Sequence, residues 1–162
     1  MKRVLVVCTG NICRSPIGEI VLGSVAAQRG IELDIDSAGV SSEEEGNPID
    51  PRARRVLERS GYEIPRHTAR QVRPGELSSY DLVLAMTAQH QSALRRRAEA
   101  DGDSTDNIRM WREFDPAAPK LSDAARPSEL DVADPWYGGY DDFVETLEMV
   151  EAAADGILDQ VS

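Results

Sequence analysis

Continuously apolar runs and helical apolar patterns alternate along the first part of the chain. Val4–Val7 is apolar throughout, as strands buried on both faces of a parallel sheet are. A helix is predicted over residues 16–29, where apolar residues recur on one face, and Gly30 is suited to end it. Leu33–Asp36 predicts a second strand. These residues therefore predict a strand–helix–strand unit.

The same alternation continues through the rest of the chain. Asp50-Pro51 predicts the start of a helix, because proline fits the first helical position. Leu82–Met86 predicts a third buried strand, with Thr87 placed to cap the helix after it. Asn107–Trp111 is a weaker fourth strand, and a final helix is predicted to begin near Gly139.

Alternating strands and helices favour an α/β fold with three layers, a mostly parallel, Rossmann-like sheet and right-handed crossovers. A length of 162 residues suits a single domain over 1–162. Ligands of such sheets bind beyond the carboxyl ends of the strands. Cys8, Ser37 and Met86 all fall at predicted carboxyl ends, so we expect the functional site there.

Composition and charge exclude several classes of function. A net charge of −11 argues against a nucleic-acid partner, since nucleic acids select basic surfaces. No apolar run approaches the ~20 residues of a membrane span, and the short apolar run after Lys2-Arg3 does not make a signal peptide. We therefore expect a cytoplasmic protein that binds no membrane.

Cysteine and histidine usage points the same way. Cys8 and Cys13 lie five positions apart, which suits a reducing compartment and free thiols. His67 and His90 stand far apart, and no Cys/His group has the spacing of a zinc site. We expect neither a metal nor another cofactor.

The residues after the first strand suit both binding of a phosphate group and attack on it. They read Cys-Thr-Gly-Asn-Ile-Cys-Arg-Ser-Pro over 8–16. A loop that enters a helix presents unpaired N–H groups and the positive end of the helix dipole to an anion. Arg14 adds a planar fork of donors matched to phosphate. The same surroundings favour the thiolate, so Cys8 is the candidate nucleophile rather than only a buried strand-end cysteine.

The neighbouring residues support this interpretation. Gly10 permits a close approach of the backbone to a ligand. Ser15 is suited to cap the following helix, with Pro16 at its first position. A second role is open for Ser15, because its hydroxyl is also placed to donate a hydrogen bond to the Cys8 thiolate.

These motifs resemble those of the low-molecular-weight protein tyrosine phosphatases. Cys8–Pro16 resembles the family signature, and Asp134–Gly139 (Asp-Pro-Trp-Tyr-Gly-Gly) resembles its general-acid loop. Further segments that match the family lie between them: Asp36–Gly39, Gly46–Pro48, His67–Gln71 and Tyr80–Met86. The resemblance spans nearly the whole chain and implies a sheet of four parallel strands with a phosphate-binding loop after strand 1.

The resemblance implies hydrolysis of phosphotyrosine in proteins through a phosphocysteine intermediate. Cys8 would be the nucleophile, Arg14 a phosphate ligand and Asp134 the general acid and base. Phosphotyrosine-containing proteins, and a tyrosine kinase, are the implied partners. The sequence leaves the oligomeric state open, and we expect a monomer. The remaining residues implied to contact phosphate or substrate are Thr9, Gly10, Asn11, Ile12, Cys13, Ser15, Trp136 and Tyr137.

Several of these assignments have structural alternatives. Asp134-Pro135 is also a common turn pair, and Asp115-Pro116 is a second example in this chain. Trp136 and Tyr137 are suited either to wall an aryl pocket or to pack in the core. The resemblance assigns Asn11, Ser37 and His67 to bracing the phosphate loop, although each could equally be a cap or another satisfied polar residue.

The chain departs from the family pattern at two positions. Glu43 replaces a usual aromatic residue, which removes one wall of the aryl pocket and favours basic or neutral peptides. Thr87 replaces a usual aspartate; it keeps the capping role and loses the charge. Apart from these departures, Cys13 is placed to trap an oxidised Cys8 as a reversible disulfide.

Three other functions remain open. An arsenate reductase resembles this fold and loop, but no cysteine follows Cys13 to relay oxidising equivalents. A phosphoarginine phosphatase of the same family favours a small polar residue where Ile12 stands. A non-catalytic phosphate-binding module would need neither a thiolate nor an acid.

Overall fold

The computed structural model describes residues 1–123 and 125–162. It contains four strands and four α-helices in alternating order, joined by short 3₁₀ turns. The strands are β1 (Lys2–Cys8), β2 (Leu33–Gly39), β3 (Leu82–Ala85) and β4 (Ile108–Met110). The helices are α1 (Arg14–Gln28), α2 (Pro51–Arg59), α3 (Ala88–Ala100) and α4 (Tyr140–Val161).

All strand pairings are parallel, in the order β2-β1-β3-β4. Val4–Val7 in the centre of β1 is completely buried, and its side chains alternate between the two faces of the sheet. Val4 and Val6 join the core beneath α1, α2 and α4, whereas Leu5 and Val7 join the core beneath α3. The predicted three-layer α/β fold with a four-stranded parallel sheet is confirmed.

The predicted start of α1 and the predicted end of β2 were wrong, and both differences place residues beside Cys8. α1 begins at Arg14 rather than at residue 16, and Cys13, not Ser15, is the N-cap residue, without a side-chain cap. The Ser15 hydroxyl lies 3.0 Å from Cys8 Sγ instead. β2 extends to Gly39, which pairs with Cys8 at the carboxyl end of β1.

Other predicted helix starts were correct. The Asp50 carboxylate accepts a hydrogen bond from the Arg52 N–H, and Thr87 Oγ1 accepts one from the His90 N–H. Both caps lie close to the carboxyl edge of the sheet. No helix in residues 1–123 or 125–162 is long and apolar enough to cross a bilayer.

Candidate active site

The loop after β1 turns its carbonyl groups outward into the scaffold. Five carbonyl groups accept a hydrogen bond at 2.7–3.1 Å, namely those of Cys8, Thr9, Asn11, Ile12 and Cys13. By contrast, the backbone N–H groups of residues 9–13 donate to no atom in the part of the chain that the structure describes. Donors left free along a loop that opens a helix form an anion cradle.

Asn11 holds the centre of this loop. Its φ of +61° is the left-handed conformation, which costs a non-glycine residue of order 1 kcal/mol. The side-chain amide of Asn11 donates to Ser15 Oγ at 2.8 Å and to Ser37 Oγ at 3.0 Å. Its Oδ1 accepts from the Arg70 N–H, and its carbonyl accepts from His67 Nε2 at 2.7 Å. The structure therefore brings the three bracing residues, Asn11, Ser37 and His67, together on one side of the loop.

Gly39 is a close neighbour of the loop that the sequence patterns did not single out as functional. A Cβ there would lie 2.7 Å from the Thr9 carbonyl oxygen, closer than real contacts allow. β2 and the phosphate loop can approach this closely only because residue 39 has no side chain.

We expect Gly39→Ala to displace Thr9 and to lower kcat/KM by about 10- to 100-fold, because small displacements of reacting groups are costly. Steady-state kinetics with an aryl phosphate measure the change. Gly23→Ala is the matched control, since a Cβ there meets no atom closer than 4.0 Å and alanine favours helix α1. Unchanged kinetics of Gly39→Ala would contradict the tight approach.

Arg14 and Asp134 meet beside the cradle. Arg14 is almost fully buried, and its Nη1 donates to the Val132 carbonyl at 3.0 Å. Its Nη2 lies 3.6 Å from Asp134 Oδ2 and 3.4 Å from Thr9 Oγ1. Asp134 Oδ1 accepts from the Trp136 N–H, so the aspartate–proline turn is real and also directs a carboxylate into the site. Two residues 120 positions apart in sequence are thus in contact.

An open pocket of about 320 Å³ lies over the cradle. Its floor carries Cys8, which is buried, and one rim carries Asp134 with Trp136 and Tyr137. Trp136 is 41% exposed and Tyr137 is 94% exposed. Core packing of this aromatic pair, the alternative role weighed from the sequence, is therefore wrong. The pocket is lined by Cys8, Thr9, Gly10, Ile12, Cys13, Arg14, Glu43, Glu44, Asp134, Trp136 and Tyr137.

The two cysteines lie in different electrostatic surroundings. Burial raises the pKa of the Cys13 thiol far above its usual range, and the negative charge of Asp50 adds to the shift. Cys13 therefore remains a neutral thiol at pH 7. Cys8 Sγ has the Ser15 hydroxyl at 3.0 Å, a group able to donate to a thiolate. The free cysteine suited to attack an electrophile is Cys8.

His90 is a site neighbour that the sequence did not reveal. Its Nε2 lies 2.7 Å from Thr9 Oγ1, and Thr9 Oγ1 also accepts from Arg14. Burial, together with the positive charge of Arg14, lowers the pKa of His90 to about 4, against a smaller opposite effect of Asp134. Neutral His90 can accept a hydrogen bond from the Thr9 hydroxyl at Nε2, while the Thr9 oxygen accepts one from Arg14. In the sequence, only its position in the first turn of the helix that follows β3 pointed to the carboxyl edge of the sheet.

Within residues 1–123 and 125–162, no three His, Cys, Asp or Glu side chains are grouped so as to hold a metal ion. The site therefore consists of a thiol, an anion cradle, a buried guanidinium and a half-exposed carboxylate.

Known proteins share this architecture. The family model "Low molecular weight phosphotyrosine protein phosphatase" matches residues 3–162. A Streptomyces coelicolor low molecular weight protein-tyrosine-phosphatase is 44% identical over 158 residues, covering 96% of this chain and 91% of the relative.

Solved structures agree with the sequence matches. A protein tyrosine phosphatase from Entamoeba histolytica, with Hepes in its active site, has a TM-score of 0.85 at 27% identity and covers 99% of this chain and 97% of its own. Vibrio vulnificus Wzb in complex with benzylphosphonate has a TM-score of 0.78 at 27% identity, with 98% of both chains covered. By sequence and by structure, this chain belongs to the low molecular weight phosphotyrosine protein phosphatase family.

Proposed function

We propose that the protein hydrolyses phosphotyrosine in other proteins through a phosphocysteine intermediate on Cys8. The observation that carries this proposal is the phosphate loop itself. Its carbonyl groups bind the scaffold, its N–H groups face no acceptor among the described residues, and a thiol lies at its floor beneath Arg14 and Asp134. Family membership supports the same activity, with phosphorylated proteins as the substrate class.

In the first step, the Cys8 thiolate attacks phosphorus as the bond to the tyrosine oxygen breaks. The loop N–H groups of residues 9–13 and the Arg14 guanidinium stabilise charge on the three equatorial oxygens. Protonated Asp134 donates its proton to the leaving phenolic oxygen, which avoids release of a phenolate. Asp134 lines the same pocket as Cys8, which suits this role.

In the second step, Asp134, now a carboxylate, takes a proton from a water molecule that attacks phosphorus. The S–P bond breaks and Cys8 leaves as a thiolate. Ser15 Oγ, 3.0 Å from Cys8 Sγ, donates a hydrogen bond that stabilises the departing sulfur. Asn11 in turn donates to Ser15 Oγ, so the Ser15 proton is directed toward sulfur.

Preference for an aryl substrate follows from the shape of the pocket mouth. Trp136, Tyr137 and Ile12 line the pocket, which suits a phenyl ring above the phosphate. Benzylphosphonate bound to the structurally similar Wzb is an aryl ligand of this type. Glu43 and Glu44 also line the mouth, so we propose that peptides with basic or neutral residues beside phosphotyrosine bind better than acidic ones.

The alternative activities have less support. Arsenate reduction needs further thiols, and the chain has two cysteines in all, both in the phosphate loop. Ile12 gives the floor of the pocket an apolar side chain, which favours a phenyl ring over a guanidinium. A protein that only binds phosphate would need neither a nucleophile nor a general acid, whereas here Cys8 and Asp134 line the same pocket.

Release of inorganic phosphate from matched phosphotyrosine, phosphoserine and phosphoarginine peptides tests the proposal. We expect turnover of the phosphotyrosine peptide alone. Faster turnover of phosphoarginine would overturn the substrate assignment. If no peptide is hydrolysed while vanadate still binds, the phosphatase activity is excluded, and arsenate reduction becomes the next assay.

We propose further that residues 1–162 form one domain that acts as a monomer in the cytoplasm and meets its substrates there, opposite a tyrosine kinase. The net charge of −11 disfavours nucleic acids and anionic membranes as partners. The two free cysteines suit a reducing compartment.

We expect a reversible disulfide between Cys8 and Cys13 to protect the enzyme from peroxide. Oxidation of Cys8 by hydrogen peroxide gives a sulfenic acid, and attack by Cys13 forms the S–S bond and releases water. Both cysteines line one pocket. Because the Cys13 pKa is raised, trapping should be faster at alkaline pH, where more thiolate forms.

The measurement is activity regained with dithiothreitol after a peroxide pulse, relative to each protein's own starting activity. Wild type should recover most of its activity, and Cys13→Ser should lose much more of it permanently. Equal recovery of the two proteins would exclude the protective disulfide.

A further inference from the structure

Arg52, in the first turn of α2, makes contacts that the catalytic roles above leave unexplained. Its Nη1 donates to the Trp136 carbonyl at 3.0 Å and to the Gly138 carbonyl at 3.3 Å. Its guanidinium also lies over the rings of Trp136 and Phe143, with 5.2 Å and 4.6 Å to the ring centroids. The side chain therefore binds the turn that directly follows Asp134.

The other edge of the same guanidinium is tied to the phosphate loop through Asp50. Arg52 Nε and Nη2 donate to the buried Asp50 carboxylate at 3.2 Å and 3.1 Å. The Asp50 N–H in turn donates to the Ile12 carbonyl at 2.9 Å. A continuous chain of hydrogen bonds thus runs from the phosphate loop through Asp50 and Arg52 to residues 136–138.

Local contacts alone hold the turn less firmly. Trp136 N–H donates to Asp134 Oδ1, Gly138 N–H to the Pro135 carbonyl, and Gly139 N–H to Asp142, all within a few positions in sequence. These bonds fix the shape of the turn but not its distance from the phosphate loop. Arg52 comes from a different helix and can fix that distance.

We propose that Arg52 is a positioning residue for Asp134, which holds the acid-bearing turn at a set distance from the phosphate loop. The inference rests on the proposed general-acid role of Asp134. Among the described residues, the hydrogen bonds of the Arg52 side chain go to Asp50, Trp136 and Gly138, and none goes to Cys8 or to a backbone group of residues 9–13. Its effect is therefore expected in proton donation to the leaving group rather than in binding of the phosphate.

The test measures kcat and KM of Arg52→Ala with a phosphotyrosine peptide and with p-nitrophenyl phosphate, whose leaving group needs little protonation. We expect kcat for the peptide to fall about tenfold or more, because a misplaced acid is costly, with a much smaller loss for p-nitrophenyl phosphate. The inhibition constant of inorganic phosphate should stay within about twofold, since Arg52 donates no hydrogen bond to the phosphate loop itself. Arg55→Ala, an exposed arginine of the same helix, is the matched control.

Arg52→Lys covers the case in which loss of the Asp50 ion pair unfolds the alanine variant. Lysine keeps a positive charge for Asp50 but lacks the fork that reaches both Asp50 and the turn. We expect kcat of Arg52→Lys to fall more for the peptide than for p-nitrophenyl phosphate, as for Arg52→Ala, but by a smaller factor. Equal losses for both substrates, or a weakened phosphate inhibition, would show a general structural role and overturn the proposal.

A double-mutant cycle separates this proposal from the proposed function. If Arg52 acts through Asp134, Arg52→Ala should cost little further activity in an Asp134→Asn background. Additive losses would overturn the positioning role even where Asp134 remains the acid. If Asp134→Asn alone shows no dependence on the leaving group, the general-acid role itself fails.

Discussion

Cys8→Ser is expected to lower kcat for a phosphotyrosine peptide by at least about four orders of magnitude, since the Cys8 sulfur forms the covalent intermediate. Serine is a far weaker nucleophile at neutral pH, because its hydroxyl does not ionise there. Cys13 cannot substitute for Cys8, because burial and nearby Asp50 keep its thiol protonated. Single-turnover phosphate release measures the loss.

The same variant should still bind oxyanions. The Cys8 sulfur takes no part in the hydrogen bonds of the loop carbonyls, of Arg14 or of the Asn11 side chain. Equilibrium binding of phosphate or of a phosphotyrosine peptide should therefore persist. Retention of kcat within about tenfold of wild type would contradict nucleophilic catalysis by Cys8.

Asp134→Asn is expected to lower kcat for phosphotyrosine peptides by about 100- to 1,000-fold, as loss of a general acid does. The loss should be much smaller for p-nitrophenyl phosphate, whose leaving oxygen is a far weaker base than the phenolate of tyrosine. Asparagine keeps the hydrogen bond to the Trp136 N–H, so the turn should survive the change. Kinetics over a series of aryl phosphates measure the effect.

Asp115→Asn is the matched control for this variant. Asp115 also precedes a proline and accepts a hydrogen bond from a backbone N–H two residues later, but it lies outside the pocket. Its replacement should affect all substrates alike, through stability if at all. Losses for Asp134→Asn that do not vary with the leaving group would contradict its role as the acid.

The parallel sheet covered by helices on both faces could be predicted from the sequence, whereas the strand order β2-β1-β3-β4 was not predicted. Val4–Val7 has no polar position, which favours a strand covered on both faces, and all four residues are buried. Two helix starts, at Asp50 and Thr87, followed from capping residues alone. The start of α1 did not, because Ser15 looks like a cap in sequence and instead contacts Cys8.

Some residues of the site could likewise be predicted from the sequence, and others could not. Cys8 and Arg14 flank one short loop, so their spacing predicted them as site residues, and the aromatic residues beside Asp134 favoured that aspartate as the acid. Gly39 and His90 act on the loop from other elements, and no local pattern marks such a contact. Arg52 is one of several arginines on α2 in sequence, and only the fold brings it to the turn after Asp134.

The most direct test of the account is to trap the phosphoenzyme. Asp134→Asn slows both steps, and with an activated aryl phosphate the phosphorylation step should be fast enough for the intermediate to accumulate. Rapid acid quenching followed by peptide mass spectrometry should find one phosphoryl group on Cys8. A phosphoryl group on another residue, or a burst of released phenol without any phosphoenzyme, would contradict a mechanism through Cys8.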